Sequence, residues 1–323
     1  MSKLLSYFNL QMFAGNPNTQ TTGTETLSPE NKTFYSKYLI KHAKPALVHD
    51  QFGQKHPIPK NGGKTIEFRK FSPLPKLTVP LQEGVTPDGQ SLEVTKIEST
   101  VNQYGAYVTY SDVLDMTAID NVALEATEII ANQAGLSLDT ITRDVLNGGT
   151  NVIFAGGVTS RDALTADSKL TVADIKKAVL TLKQQNAPKI DGSYVAIIHP
   201  NVASDLTDDP EWKAPHQYVD TENIYAGEIG RIHGVRFVET TEAKIFEGGV
   251  YSTLVLGKNA YGVTEVEGGG LEHIIKQLGS GGTSDPLNQR ATIGWKATKT
   301  AERLVETYMV RIESKASSEG TAN

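Results

Sequence analysis

The sequence has no cysteine, so neither a disulfide bond nor a thiolate metal ligand is available to it. It also has no apolar run approaching the ~20 residues that a membrane-spanning helix requires. The amino-terminal stretch MSKLLSYFNLQMFAG does not match a secretory leader, because Ser6, Asn9 and Gln11 interrupt its apolar residues. These absences argue against a disulfide-stapled secreted protein and against a membrane partner, and they fit a reducing compartment.

Catalytic signatures are missing as well. Residues 62–65 end like a phosphate-binding loop, but Ile58 stands where that motif needs its first glycine. No HExxH zinc motif and no GxSxG nucleophile motif occurs, and the acidic residues at 205–211 lack the glycine and spacing of a calcium loop. The sequence therefore predicts no enzyme, no metal site and no cofactor, with an enzyme site assembled from scattered residues as the alternative.

The composition is that of an ordinary globular protein, with 323 residues of which 38% are hydrophobic and 21% are charged. The net charge of -6 is distributed unevenly along the chain. Residues 32–76 contain ten basic and two acidic residues, so this block carries +8 and the rest of the chain carries -14. A basic block on an acidic body indicates contact with polyanions or with the acidic body of a neighbouring copy.

The first third of the chain is extended and proline-rich. Residues 14–31 have almost no apolar side chains and are predicted to form a flexible arm, from which a helix begins at Ser28 with Pro29 at its first position. Residues 64–71 and 92–110 are predicted to be β runs, separated by a stretch with four prolines. The second run would reach about 60 Å if extended throughout. Because a two-stranded ribbon is marginal alone, we expect it to project and to be stabilised by another chain.

A long helix and an α/β lobe are predicted for the remainder. The apolar stripe over residues 116–146 predicts one helix, with two shorter helices broken near Gly135 as the alternative. Thr171 and Asp174 match a capping box at the start of a further helix. Strands of the α/β lobe are expected at 194–198, 235–239 and 251–256. The polar end of the chain, SKASSEGTAN, is typical of a disordered tail.

Three segments carry a resemblance to a known family. The amino-terminal YFNLQMFAG resembles the opening of many phage capsid proteins. IGRIHGVRFVETTEAKIF at 229–246 and DPLNQRATIGWKATKTAERLVETYMVRIES at 285–314 resemble the N4-type family of tailed-bacteriophage major capsid proteins. The order of elements agrees along nearly the whole chain.

This resemblance implies the Hong Kong 97-type capsid fold, of class α+β, with an α/β A-domain and with a spine helix at 116–147. It implies a major capsid protein that self-assembles into pentamers and hexamers of an icosahedral phage head around double-stranded DNA. Such a protein is found in the virion capsid, is assembled in the bacterial host cytoplasm, and has portal, scaffold or decoration proteins as partners. The implied segments are a flexible N-arm (1–27), an N-terminal helix region (28–52), an extended E-loop β-ribbon (53–112), the P-domain spine helix and following segment (113–165), the A-domain (166–266), a returning P-domain β segment (267–314) and a disordered tail (315–323).

Contacts between copies, and with DNA, are expected through charged residues. Basic residues of the E-loop are predicted to meet acidic residues on the next copy, and the basic helix region is predicted to face the packaged DNA without reading its sequence. Alternatives from other classes are an encapsulin-like nanocompartment shell of the same fold, an enzyme, and a secreted or surface adhesive protein. The candidate residues are Lys64, Arg69, Lys70 and Lys76 in the E-loop; Glu125, Glu128 and Asp139 as acidic partners; and Lys32, Lys37, Lys41 and Lys44 facing DNA.

Overall fold

A computed structural model describes residues 48–59, 63–71, 74–80, 83–84, 86, 88–117, 122–212, 230–264, 270–282, 285–318, 320 and 322–323. The predicted N-arm, most of the helix region and the four candidate DNA-facing lysines lie outside the described residues. The helices are α1 (Asp112–Thr117), α2 (Val122–Asn147), α3 (Val172–Gln184) and α4 (Pro200–Asp208). The strands are β1 (Gln54–Lys55), β2 (Thr65–Phe71), β3 (Val94–Thr100), β4 (Asn102–Ser111), β5 (Val152–Phe154), β6 (Tyr194–Ile198), β7 (Arg231–Ile232), β8 (Val235–Glu239), β9 (Ile245–Phe246), β10 (Val250–Leu256), β11 (Tyr261–Thr264), β12 (Glu272–Lys276), β13 (Arg290–Arg303) and β14 (Met309–Ser314).

The spine helix α2 is continuous over 26 residues and runs through Gly135 without a break. At ~1.5 Å per residue it is about 39 Å long. Its buried face carries small residues, among them Ala131 and Ala134, which pack with Trp295 of β13 in one apolar cluster. The predicted start at residue 116 lies in helix α1, the spine helix is described from Val122 onward, and residues 118–121 lie outside the described residues. The single-helix prediction, and not the alternative broken near Gly135, is therefore confirmed.

The central sheet is organised around β13, a strand of 14 residues. Strand β4 pairs with its first ten residues, from Arg290↔Ser111 to Lys299↔Asn102. Strand β12 pairs antiparallel with the same part of β13, β11 pairs antiparallel with its carboxyl end, and β1 lies parallel to β11. Side chains alternate along β13, so Ile293 and Trp295 are buried with α2 while Gly294 and Lys296 belong to the opposite face.

A two-stranded ribbon leaves this sheet. Strands β2 and β3 form seven antiparallel pairs, from Thr65↔Thr100 to Phe71↔Val94. The prediction of one continuous β run over 92–110 is wrong at Val101, which is 3% exposed and whose N–H donates to the Lys64 carbonyl at 2.9 Å. At that residue the chain passes from the ribbon into the central sheet. The ribbon is therefore shorter than the predicted E-loop of 53–112, with paired strands spanning about 23 Å.

A seven-stranded sheet forms the α/β lobe, in the order β5-β14-β10-β6-β8-β7 with β9 also on β10. The predicted strands at 194–198 and 235–239 are confirmed with the same bounds, and the strand predicted at 251–256 begins one residue earlier. The capping box is also confirmed, because the Asp174 N–H donates to Thr171 Oγ1 at 3.3 Å and the Thr171 hydroxyl donates to the Asp174 carboxylate at 2.8 Å.

The predicted segment boundaries differ from the sheets. Strand β14 lies in the predicted returning P-domain segment (267–314), and β5 lies in the predicted segment that contains the spine helix (113–165). Both strands nevertheless pair within the lobe sheet. Strand β11 was assigned to the A-domain and instead pairs with β13 in the central sheet. These strands pair with partners far away in sequence, and a local pattern of residues does not contain that information.

The described residues of the predicted disordered tail, 315–318, 320 and 322–323, are held against the lobe. The Ser317 N–H and hydroxyl donate to the Asp205 carboxylate at 2.7 and 2.5 Å, and the Tyr251 hydroxyl donates to the Ser318 carbonyl at 2.8 Å. The Ile245 N–H donates to Asn323 Oδ1 at 2.9 Å. The tail has the polar composition of a disordered segment, but its polar groups find partners on the lobe.

We expect Gly320→Ala to release this tail. A Cβ at position 320 would stand 2.6 Å from the Tyr251 hydroxyl and 2.9 Å from Ile245 Cδ1, which is closer than such atoms approach. Limited proteolysis should therefore cut residues 315–323 several times faster than in the parent chain. Gly89→Ala is the control, since nothing lies within 4 Å of a Cβ at Gly89, and equal cleavage of both variants would contradict the described packing.

Candidate intersubunit interface

The two strands of the ribbon carry most of its basic residues, and part of their charge is neutralised within the ribbon. Arg69 Nε donates to Glu67 Oε1 at 2.8 Å, and Lys96 Nζ donates to Glu98 Oε1 at 2.8 Å. The hydrogen bond from Arg69 lowers the pKa of the Glu67 carboxyl, which keeps this pair ionised. Lys64, at the foot of the ribbon, is exposed. Arg69 therefore has a partner within the ribbon, and its role in contacting another copy stays a prediction.

The other two E-loop candidates lie at and beyond the far end of the paired strands. Lys70 pairs with Thr95 through the backbone of β2 and β3. Lys76 is exposed in the connection between the strands, which we call the tip (residues 72–93). The structure thus spreads the four predicted basic residues over the whole length of the ribbon.

The described part of the tip is apolar and acidic, which the sequence reasoning missed. Leu77 and Val79 are 80% and 81% exposed. The pattern L-x-x-L-x-V at residues 74–79 could have indicated this apolar surface. Apolar side chains in an extended, proline-rich segment cannot pack against one another within that segment. Among the described residues of the tip, the exposed apolar side chains are Leu74, Leu77, Val79 and Leu92, and the exposed acidic residues are Glu83, Asp88 and Glu93.

Two of the three predicted acidic partners, Glu125 and Glu128, are exposed on the spine helix, as an intersubunit role requires. Asp139 is not, and its assignment as a partner for another copy is wrong. Its side chain is fully buried, and its carboxylate accepts hydrogen bonds from the backbone N–H of His49 at 2.7 Å and from His49 Nδ1 at 2.6 Å. A carboxylate on a helix can be buried when another segment of the chain supplies hydrogen-bond donors to it, as His49 does here.

Asp139 belongs to a buried polar group that ties residues 48–50 to the body. The Thr142 hydroxyl donates to Asp50 Oδ1 at 2.5 Å, and Lys299 Nζ pairs with Asp50 Oδ2 and donates to the Leu138 carbonyl at 2.8 Å. The Tyr261 hydroxyl donates to the His49 carbonyl, and burial raises the pKa of Tyr261 well above its ordinary value. This group is structural, since it lies inside the subunit.

An ion pair between a buried carboxylate and a partly exposed arginine stabilises the lobe. Glu313 is fully buried in β14, and Arg161 donates to both of its carboxylate oxygens, at 2.7 and 2.6 Å. The Arg161 guanidinium also lies 3.7 Å from the centre of the Phe246 ring. The hydrogen bonds to Glu313 raise the pKa of Arg161, so the guanidinium stays charged.

The face of the central sheet opposite the spine helix carries a shallow trough of about 550 Å³. Gly105 and Gly294 contribute no side chains to it, Tyr107 borders it on β4 and is 74% exposed, and Ile274 borders it on β12. Lys276 and Lys296 also line it. Gly294 is required there, because a Cβ would stand 2.8 Å from Tyr107 Cβ and 2.9 Å from the Ala106 carbonyl. We call this surface the sheet trough.

Within the part of the chain that the structure describes, no group of histidine, aspartate and glutamate side chains is arranged to hold a metal ion. Among the same residues, no helix combines the length and the apolar character needed to cross a bilayer.

The sequence model of one family, described as phage capsid protein, matches residues 101–271. That match begins at Val101, where the chain leaves the ribbon, and covers β4, the spine helix and most of the lobe. A search of curated proteins gives no match.

Solved structures give the same fold. The capsid of Ralstonia phage GP4 is 13% identical, with 99% of this chain and 100% of that chain covered and a TM-score of 0.66. The cyanophage Pam1 capsid asymmetric unit is 12% identical over 95% of this chain and 99% of that chain, with a TM-score of 0.65. A virus-like particle from Pyrococcus furiosus is 11% identical over 88% of this chain and 99% of that chain, with a TM-score of 0.50. The predicted Hong Kong 97-type fold is confirmed, and the narrower N4-type assignment stays a prediction.

Proposed function

The chain belongs to the phage capsid protein family, and we propose that it fills the pentamers and hexamers of an icosahedral phage head that encloses double-stranded DNA. As a major capsid protein it is a structural subunit of a multi-subunit shell, and the proposal is of a structural role without catalysis. The observation that carries the proposal is the family match over residues 101–271, more than half of the chain. Localisation in the virion follows from that role, and assembly in the host cytoplasm is part of the proposal.

The projecting ribbon supports a role in joining copies. Closed shells need contacts that repeat from one subunit to the next around symmetry axes. A ribbon whose strands span about 23 Å adds contact area on a neighbour without enlarging the subunit core. Lys64 and Lys76, which are exposed, are proposed to meet exposed acidic residues of other copies, with Glu125 and Glu128 as candidates. Single surface pairs contribute only about 0–1 kcal/mol, so repetition over many copies is needed.

A nanocompartment shell of the same fold is the competing role, and no observation favours it. The likeness to the virus-like particle shows a shared fold, whereas the matched family is one of phage capsid proteins.

Electron microscopy of the purified, full-length protein tests whether it forms a shell. Icosahedral particles are expected, and a protein that stays monomeric under conditions that promote assembly would contradict the proposal. A head that encloses DNA should also contain nuclease-protected DNA when made in infected cells.

Contact with DNA is proposed for the basic helix region, which lies outside the described residues. Binding of the subunit to a double-stranded DNA fragment should weaken as salt rises, since each phosphate contact releases counterions. Replacing Lys32, Lys37, Lys41 and Lys44 by Gln should reduce the slope of log K against log salt by up to about 3–4. The matched control replaces Lys176, Lys177, Lys183 and Lys189 on the lobe. An unchanged slope in the first variant, or an equal reduction of the slope in both variants, would exclude the basic helix region as the DNA-binding surface.

Portal, scaffold and decoration proteins remain proposed partners.

A further inference from the structure

Two arginines face each other at the edge of the lobe sheet. Strands β7 and β8 form a hairpin in which Arg231 pairs directly with Arg236, and Ile232 pairs with Val235. Residues that stand directly opposite on an antiparallel pair have Cβ atoms about 4.5–5.5 Å apart, and like charges in these positions destabilise the pairing. The hairpin therefore keeps two positive charges close together, although their repulsion opposes its stability.

The turn between the two strands fixes this register. His233 and Gly234 form the two-residue connection, and both have a positive φ, of 49° and 78°. Two consecutive residues with positive φ are typical of the type I′ turn, whose twist matches that of the flanking strands. The Tyr194 N–H also donates to the Gly234 carbonyl at 2.9 Å, which anchors the turn to β6. The backbone therefore holds the two arginine side chains on one face of the hairpin.

No carboxylate in the described part of the chain neutralises this pair. The other arginines of the lobe, Arg161 and Arg311, form ion pairs with Glu313. Arg231 and Arg236 form no ion pair with any described residue. The edge of the lobe thus differs from its interior, where each guanidinium has an anionic partner inside the subunit.

Arg236 has a further unsatisfied group. It is partly buried, its guanidinium carbon lies 5.7 Å from the centre of the Phe52 ring, and its Nε is buried without a hydrogen-bond partner among the described residues. A buried donor that lacks an acceptor is unfavourable and rare in folded proteins. Arg231, in contrast, is exposed. The pair therefore combines a donor fixed beside an aromatic ring with a second donor group that solvent and ligands reach.

A phosphate dianion has the chemistry that satisfies both arginines. Each guanidinium offers five N–H donors in a planar fork, which matches two oxygens of a phosphate group. A phosphate monoester carries a charge of about −1.5 to −2 at pH 7, so one such group compensates both positive charges. A carboxylate or a DNA phosphodiester carries a single negative charge and compensates only one of them. The charge of the pair therefore favours a phosphate ion or monoester over the backbone of a nucleic acid.

We propose that Arg231 and Arg236 form a binding site for a phosphate dianion, either inorganic phosphate or the phosphate group of a monoester. Binding neutralises the two like charges and supplies an acceptor to the donors of Arg236. Occupancy of the site is therefore coupled to the stability of the lobe edge, because a ligand that binds only the folded state stabilises it. The site involves neither the ribbon nor the central sheet, and it does not depend on the proposed function.

Isothermal titration calorimetry of the unassembled, full-length subunit tests the site, with inorganic phosphate as the probe and NaCl holding the ionic strength constant. The parent chain should bind one phosphate saturably, and Arg231→Gln should weaken binding by about tenfold or more. Arg231→Lys should lose part of the affinity, because it keeps the charge without the fork. Arg69→Gln is the matched control, since it removes the same charge from an exposed arginine of the ribbon, and its affinity should equal that of the parent.

Two further ligands identify the phosphate species. Glucose 6-phosphate is a monoester, and the tighter of this ligand and inorganic phosphate shows whether the site takes the ester or the free ion. Dimethyl phosphate is a diester with one negative charge, and it should bind about tenfold more weakly than either dianion. Dimethyl phosphate that binds as tightly as the dianions would contradict the assignment of a dianion.

Thermal unfolding gives an independent measurement. Phosphate should raise the Tm of the parent and of Arg69→Gln, and it should leave the Tm of Arg231→Gln unchanged. In NaCl alone, Arg231→Gln should unfold at the same temperature as the parent or at a higher one, because the like-charge pair is gone. Phosphate binding no tighter than that of chloride, or equal phosphate binding by Arg231→Gln and the parent, would overturn the proposal. An Arg231→Gln variant that is altered only in its binding to duplex DNA would overturn it as well, in favour of a DNA contact.

Discussion

Replacing residues 72–93 with the two-residue turn Asn-Gly is expected to leave the subunit folded and to prevent it from forming shells. The replacement joins Phe71 to Val94, which already pair across the ribbon, and Asn-Gly is a favoured connection between antiparallel strands. It removes Leu77 and Val79, whose burial on a neighbour contributes about 1.5–3 kcal/mol each. Losing both weakens each contact by roughly a hundredfold or more. Particle yield by electron microscopy and sedimentation measures the effect.

A point version of this experiment separates apolar contact from chain length. Leu77→Asp with Val79→Asp keeps the tip at its full length and should also reduce shell formation strongly. Leu180→Asp is the control, since it places an aspartate at an exposed leucine of the lobe. If the deletion and the double substitution both give normal particles, the ribbon has no part in joining copies. Circular dichroism of each variant shows whether the subunit body is still folded.

Asp139→Ala is expected to lower the free energy of unfolding by about 3–5 kcal/mol, because a buried partner of a hydrogen-bonded pair is removed. The substitution leaves the backbone N–H and the Nδ1 of His49 without an acceptor inside the protein. The total stability of a domain is only about 5–15 kcal/mol, so the loss is a large fraction of it. Denaturant unfolding of the unassembled subunit measures the change, and proteolysis should cut near residues 48–52 first.

Asp144→Ala on the same helix is the control for that measurement. Asp144 is about half exposed and pairs with Arg143 at 3.1 Å and with Lys244 at 3.6 Å. The Asp144 carboxylate contacts water, and the buried Arg143 keeps its hydrogen bond to the Glu242 carbonyl at 3.1 Å when Asp144 is removed, so the expected loss is several times smaller. Equal stability of the two variants would show that the buried contact between His49 and Asp139 does not hold the amino-terminal segment.

Elements whose signal is local were predictable from the residues alone. The strand at 194–198 is apolar on both faces because it lies inside a sheet, and a continuous apolar run is the pattern of such a strand. The helix start at Thr171 was predictable because a capping box involves residues three positions apart. The basic ribbon residues were found because charge runs are visible in sequence, but the internal pairing of Arg69 with Glu67 was not.

Interactions between distant residues were not predictable in this way. The burial of Asp139 depends on His49, ninety positions earlier, and the place of β5 beside β14 depends on the topology of the lobe sheet. The tail was predicted to be disordered from its polar composition, yet its partners Asp205 and Tyr251 lie far from it in sequence. Composition measures whether a segment can form its own core, and it does not show that another part of the chain can hold the segment.

The sequence by itself determined the class of this protein: a cysteine-free, shell-forming capsid protein with a basic, proline-rich ribbon, a long spine helix and an α/β lobe. Those features follow from periodicity, capping and family resemblance, which act over short stretches of residues. Only the tertiary structure decided where the ribbon ends, which acidic residues are available to another copy, and that the sheet trough exists. Gly105, Tyr107, Ile274 and Gly294 become one surface only because β4 and β12 both pair with β13, and strand pairing brings together residues that no local pattern connects.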